Sequence, residues 1–224
     1  MKINLPALPY AAHALEPYIS ERTVDAHQRD YLKTYVTKLK DLVQGTKFAN
    51  ADLDTMIIKA DGLILYNAAQ IWNHTFYFSG INKRKEYKLD GNFIEALRHK
   101  FGSLNGFRDA IINKAVTMFG SGWIWLIIDE KGKLELIQEI DAESPLRKGM
   151  KPLLAIDLCE HAYYLDYPNR RIDYINSFLK LLDWEIIEKR YNQYNVKKAL
   201  RKNTPMLFDT VIRKNICEFL SATN

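Results

Sequence analysis

Asp157-Leu-Cys-Glu-His161 closes the short apolar run Leu153 to Leu158, and the reading of this 224-residue chain turns on it. A run of that length and composition predicts a buried strand. A carboxylate pushed into such surroundings is costly unless it is paired or bound to a metal. His161 follows four residues later. Upstream, Trp123 to Asp129 and Leu134 to Glu139 flank Glu130-Lys-Gly-Lys133, which is a hairpin signal. The expectation is a small sheet of three antiparallel strands ending at a titratable pair.

Working outward, residues 92–101 and 104–118 read as amphipathic helices. Pro168 opens a further one through about Phe178, and another follows around Trp184 to Lys189. Before the polar link Gly80 to Gly91 the pattern is helical. Ser20 caps a long helix to about Val43, with Tyr31, Tyr35, Leu39 and Leu42 on one stripe. A second helix runs from about Leu63 through Tyr77, and a connection of about twenty residues between the two predicts an antiparallel pair. The fold class is therefore α+β: a helical hairpin domain over 1–87, a mixed α/β domain over 88–192, and a basic extension over 193–224. In that extension Thr204 and Pro205 start a helix whose stripe is Phe208, Val211, Ile212, Ile216, Phe219 and Leu220.

Composition narrows the function classes. A content of 47% hydrophobic and 26% charged residues supports a packed core and excludes global disorder. The longest apolar run, Trp123 to Ile128, falls far short of the ~20 residues that span a bilayer. The N-terminus lacks the apolar stretch of a signal peptide, and two cysteines, Cys159 and Cys217, fit a reducing cytosol. Although the net charge is +5, residues 191–224 carry +4 of it and the first 190 only +1. A basic tail without an aromatic-basic or helix-turn-helix signature is solvated surface, so neither nucleic acid nor a membrane is the expected partner.

Five histidines are present: His13, His27, His74, His99 and His161. His27 lies in the first long helix, and His74 lies in the second with Gln70 one turn before it. Three imidazoles and one carboxylate from separate segments can close around one transition-metal ion. That donor set suits iron or manganese with solvent in the remaining position, and zinc on composition alone. A half-buried histidine is also often a hydrogen-bonded core residue, so spacing alone leaves both readings open.

Four stretches carry a resemblance: Leu5-Pro-Ala-Leu-Pro-Tyr10 with Ala14-Leu-Glu-Pro17, Asn67-Ala-Ala-Gln-Ile-Trp-Asn-His-Thr-Phe-Tyr77, Phe119-Gly-Ser-Gly-Trp-Ile-Trp-Leu126, and Asp157 through Tyr167. Together they resemble the iron/manganese superoxide dismutases, over about 1–190. The resemblance implies that His27, His74, Asp157 and His161 are the metal ligands, one iron per subunit with manganese possible, and that superoxide is converted to oxygen and hydrogen peroxide. It implies that Gln70 is the solvent-binding glutamine of the iron type, the manganese-type position being Ala142. Tyr35 matches the gateway tyrosine, whose hydroxyl bonds the glutamine, and Trp123 and Trp125 match the aromatic wall. Glu160 and Tyr164 match residues at the seam of a homodimer. His13 and His99 match no ligand position.

The departures lie at the access route. Where the family has Lys-His-His or Lys-His before the gateway tyrosine, this chain has Asp30-Tyr31-Leu32, so Tyr31 is expected to face the Tyr164 position across the dimer. Cys159 replaces a usual tryptophan, and Pro168 replaces an arginine. A cytosolic iron superoxide dismutase is the leading expectation. The alternative is a metal-binding homologue with little dismutase activity, acting in storage or interaction.

Overall fold

A computed structural model describes residues 3–83 and 87–194. Met1–Glu188 forms one compact unit, which holds both the helical and the mixed halves. Lys189–Asn224 forms a second, and its described residues, 189–194, are helical. The helix expected after Thr204 lies outside the described residues.

The first long helix is capped by Ser20, whose hydroxyl accepts from the Thr23 backbone N–H at 3.2 Å. It is not uniform. Helix α1 (Glu21–Asp25) passes through a π turn (Ala26–Leu32) into α2 (Lys33–Leu42). The wider turn resets the register, so the buried stripe is Leu32, Val36, Leu39 and Val43 rather than the one expected through Tyr31 and Tyr35. Tyr31 is 44% exposed. The connection of about twenty residues contains α3 (Leu53–Lys59), capped by Asp52 on the Thr55 N–H at 2.7 Å. Helix α4 (Gly62–Phe78) packs on both α2 and α3, and Ala68 and Ala69 supply the small surface that lets these helices close on Met56, Ile57 and Leu39.

In the second half, α5 (Asn92–Phe101) and α6 (Leu104–Thr117) precede β1 (Gly122–Ile128), β2 (Leu134–Ile140) and β3 (Lys151–Asp157). The strands form one antiparallel sheet in the order β2-β1-β3. Central β1 is buried along its whole length, with α4 against β3 and α6 against β1 and β2. That coverage explains its continuous apolar sequence, since a strand covered on both faces needs no alternation. Helix α7 (Arg171–Phe178) begins three residues later than Pro168 because Asn169 takes a left-handed φ of 55° and Arg170 is not helical. Among the described residues no helix is long and apolar enough to cross a membrane.

Gly122 fixes where β1 starts. A Cβ there would collide with the Glu139 carbonyl oxygen, and the Gly122 carbonyl accepts the Leu158 N–H at 2.9 Å, tying the entry of β1 to the turn that follows Asp157. Gly122→Ala is therefore expected to destabilise the fold by about 1–3 kcal/mol, the usual cost of overpacking. A urea midpoint equal to that of the unsubstituted protein would contradict this.

Candidate metal centre

Four side chains from four different local structures converge between the two halves. His27 comes from the π turn, His74 from the middle of α4, Asp157 from the last residue of β3, and His161 from a single 3-10 turn (Glu160–Ala162). One ligand atom from each lies within 4.8 Å of all the others. Oδ2 of Asp157 is 3.0 Å from Nε2 of His27, 3.3 Å from Nε2 of His161 and 3.7 Å from Nε2 of His74. The last two nitrogens are 3.3 Å apart. Donors bound to one first-row cation at ~2.0–2.2 Å and separated by ~90–120° stand ~3–3.8 Å from one another, so these separations fit a shared centre.

The orientation of each group points the same way. Nδ1 of His74 donates to the Gln70 carbonyl at 2.6 Å, which leaves the Nε2 lone pair free for a ligand. Oδ1 of Asp157 accepts the Cys159 N–H at 2.8 Å, which leaves Oδ2 toward the histidines. Nε2 of His27 and Oδ2 of Asp157 are both buried, and neither has a hydrogen-bond partner although they approach to 3.0 Å. They are close without being aligned for a proton between them. Two polar atoms orphaned in a core are expensive, and a cation between them removes the cost.

The electrostatics agree. Burial lowers the His27 pKa below its ordinary 6.5, and burial with the neighbouring His27 lowers that of His74 to about 3. Burial alone would raise the Asp157 carboxyl, but the adjacent His161 and His27 imidazoles outweigh it and hold the group well below 3.8. The groups thus favour neutral imidazole at His27 and His74 and an ionised carboxylate, the protonation states that bind metal.

Around this cluster the structure sorts the other expected residues. Trp123 meets His74 edge-on at 5.1 Å between ring centroids. Trp125 packs instead against Trp123, Trp72 and Phe76, so it backs the wall rather than forming it. Tyr35 is half-buried with its ring 5.6 Å from that of His74. Gln70 is buried one turn before His74, and its side-chain Oε1 has no hydrogen-bond partner. Tyr66, one turn before Gln70 on the same helix, donates from its hydroxyl to Asp141 at 3.1 Å.

Tyr31 stacks on His161 at 4.4 Å and 23°. Glu160 and Tyr164 are both exposed; the Ser121 hydroxyl donates to Glu160 at 3.2 Å. His13 and His99 lie exposed, away from the cluster. Sequence reasoning missed Tyr77 and Phe78, whose rings pack on His27 at 5.4 and 5.0 Å. Their position three and four residues after His74, on the same helix, was the available signal.

Two family models cover this architecture. The iron/manganese superoxide dismutase alpha-hairpin domain matches residues 2–82, and the C-terminal domain of the same enzymes matches residues 89–190. The chain belongs to the iron/manganese superoxide dismutase family. Among relatives of the family, a protein of Porphyromonas gingivalis named superoxide dismutase (Mn/Fe) is 45% identical over 191 residues, 85% of this chain and 100% of that one. A superoxide dismutase (Fe) of Bacteroides fragilis is 43% identical over 85% of this chain and 100% of its own. One of Escherichia coli (strain K12) is 41% identical over 84% and 98%. Residues 191–224 lie outside both family models.

The depressed histidine pKa values set a pH dependence for the metal-free protein. Unfolded histidines take up protons as pH falls below 6.5, whereas folded His74 resists until about 3, so the unfolded state gains protons first and stability falls as pH falls through that window. The denaturant midpoint of the metal-free protein is expected to drop between about pH 7 and about pH 5. A midpoint that stays constant, or that rises, would show the imidazoles to be protonated in the fold.

Proposed function

We propose that this protein is an iron superoxide dismutase in which His27, His74, Asp157 and His161 hold the metal, Gln70 and Tyr35 manage the proton, and Trp123 forms the wall with Trp125 behind it. The observation that carries the reading is the orphaned pair, Nε2 of His27 and Oδ2 of Asp157, inside a buried cluster of three imidazoles and one carboxylate in a chain of this family. A bound iron would supply reversible one-electron chemistry, taking an electron from one superoxide and giving it to a second.

The chain's own residues supply the rest. His74 is locked in one tautomer by the Gln70 carbonyl, and Asp157 is locked by the Cys159 N–H, so the donors hold their geometry while charge changes beside them. Reduction of superoxide to peroxide needs protons at the site. Burial raises the Tyr35 phenol well above its ordinary 10, so its hydroxyl stays protonated and remains a donor. Gln70 has a buried carbonyl oxygen free to accept a hydrogen bond from metal-bound solvent. The buried ring of Trp123 excludes bulk water from the His74 side. Ala142, the position from which the manganese type draws its glutamine, is buried in the hairpin core and offers no amide, which supports iron.

A homodimer is part of the same proposal. Phe119 is 96% exposed two residues before Ser121, which bonds Glu160, and Tyr164 and Leu165 are exposed just beyond. An apolar rim of this kind around a carboxylate favours a second copy as its cover. The cytosolic location rests on the low cysteine count, with Cys159 free and buried.

Reconstitution of the metal-free protein with iron or manganese, followed by metal analysis and a dismutation assay, tests the function. Iron is expected to give the higher specific activity, and higher activity with manganese would refute the iron assignment. Gln70→Ala is expected to keep the metal while cutting turnover about 10-fold or more, the range of lost partners around metal ligands. Loss of the metal from that variant would mean that Gln70 is structural.

A further inference from the structure

Three rings stand in a row beside the cluster. The ring of Tyr35 is 5.6 Å from that of His74 and 6.2 Å from that of Tyr66, which it meets in a T-shaped contact at 64°. His74 and Tyr66 both belong to α4, whereas Tyr35 comes from α2. Tyr35 and Tyr66 are each half-buried, so neither is fixed by enclosure alone. Tyr66 is held at its far end instead. Its hydroxyl donates to Oδ1 of Asp141 at 3.1 Å, and Asp141 is the first residue after β2, in the other half of the molecule. That residue has a left-handed φ of 53°, and its N–H donates to the Ser121 carbonyl at 3.0 Å. The same turn meets α4 a second time, where Nδ2 of Asn73 donates to the Glu143 carbonyl at 3.3 Å. Burial, with the Asp141 carboxylate, raises the Tyr66 phenol above its ordinary 10, so the hydroxyl keeps the proton that makes the bond.

We infer that Tyr66 is a positioning residue for Tyr35, and that Asp141 is the anchor which sets its ring. A phenol turns about two side-chain bonds, and one hydrogen bond at its tip decides where the ring stands. That ring, in edge contact with Tyr35, then narrows the rotation open to the Tyr35 ring and keeps it against His74. Tyr66 meets neither metal nor substrate in this scheme and acts through Tyr35. Aspartate suits position 141 on two counts: a short polar side chain tolerates the left-handed backbone, and its carboxylate accepts the bond. A turn of the mixed half thereby steadies the proton donor of the hairpin half.

The inference rests on the role proposed above for Tyr35, and the test keeps the two ideas apart. Iron-loaded protein is assayed for kcat and KM with the unsubstituted chain, Tyr66→Phe, Asp141→Gly, Asp141→Asn and the double variant Tyr66→Phe/Asp141→Gly. Glycine accepts the backbone of position 141 and removes only the acceptor, whereas asparagine keeps an acceptor and drops the charge. Tyr66→Phe and Asp141→Gly are each expected to lower kcat about 3- to 10-fold at unchanged KM, the range set by one net hydrogen bond. Asp141→Asn should keep the original kcat, and the double variant should be no slower than either single one, as for two partners in one bond. In metal-free protein carrying tyrosine labelled with carbon-13 at Cζ, the Tyr35 signal, assigned through Tyr35→Phe, should be single in the unsubstituted chain and split or broadened in Asp141→Gly. An original kcat in Tyr66→Phe, a kcat for Asp141→Asn as low as that for Asp141→Gly, losses that add in the double variant, or an unchanged Tyr35 signal would each overturn the anchor. An unsubstituted chain that holds iron without dismuting superoxide would instead overturn the function, and the Tyr35 signal would still report on the anchor.

Discussion

Burying the Asp157 carboxylate is the constraint on which the rest of this structure depends. The group is fully excluded from water, and so are two of the three imidazoles around it. An isolated ionised carboxylate in such a place costs several kcal/mol even after the surroundings relax. Among the described residues no Lys or Arg comes near it. Its compensation is limited to one backbone N–H on Oδ1 and the histidines facing Oδ2. A folded chain that keeps this arrangement is poised for a cation, because a divalent or trivalent ion neutralises the carboxylate, satisfies the orphaned nitrogen of His27 and replaces repulsion between lone pairs with bonds.

That constraint also explains the two-part construction. Two donors come from the helical hairpin and two from the strand end and turn of the mixed half, so neither half alone completes the set. The contacts between the halves are made by the same elements: α4 against β3, and the π turn against the Glu160–Ala162 turn. Trp123 belongs to this seam as well. It sits in β1 opposite Asp157 in the register with β3 and meets His74 of α4 with its edge. Packing and the proposed ligation thus use one set of side chains, and a bound ion would join what the core already holds together.

Much of this was legible in the sequence, for reasons tied to particular residues. The strand ending at Asp157, the hairpin around Gly132 and the Ser20 cap are local signals, and they read correctly because local chemistry sets them. The histidines were separable into His27, His74 and His161 against His13 and His99 by the resemblance, and geometry then set the first three around Asp157. The hydrogen bonding of Gln70 was not legible, because a side-chain hydrogen bond across helices depends on rotamers that spacing does not reveal. The start of α7 was misjudged because the left-handed turn at Asn169 delays a helix that Pro168 would otherwise begin.

The stripe on the first helix was the largest miss, and its cause bears on how the site is built. At the α-helical rate of ~100° per residue, His27 and Leu32 lie ~140° apart around the axis, so one helix could not turn both inward. Val24 and His27 are buried before this point, and Leu32, Val36, Leu39 and Val43 after it. The buried register therefore jumps by five where three or four would continue the helix. A π turn, with bonds from i to i+5, brings residues five apart nearly onto the same side, and Ala26–Leu32 is where it occurs. The insertion lets His27 and a core leucine share one face and rotates Tyr31 out of the core, where it reaches the ring of His161. A uniform 3.6-residue period would have buried Tyr31 and turned Leu32 to solvent, which is why periodicity alone could not have found either the stripe or the stack.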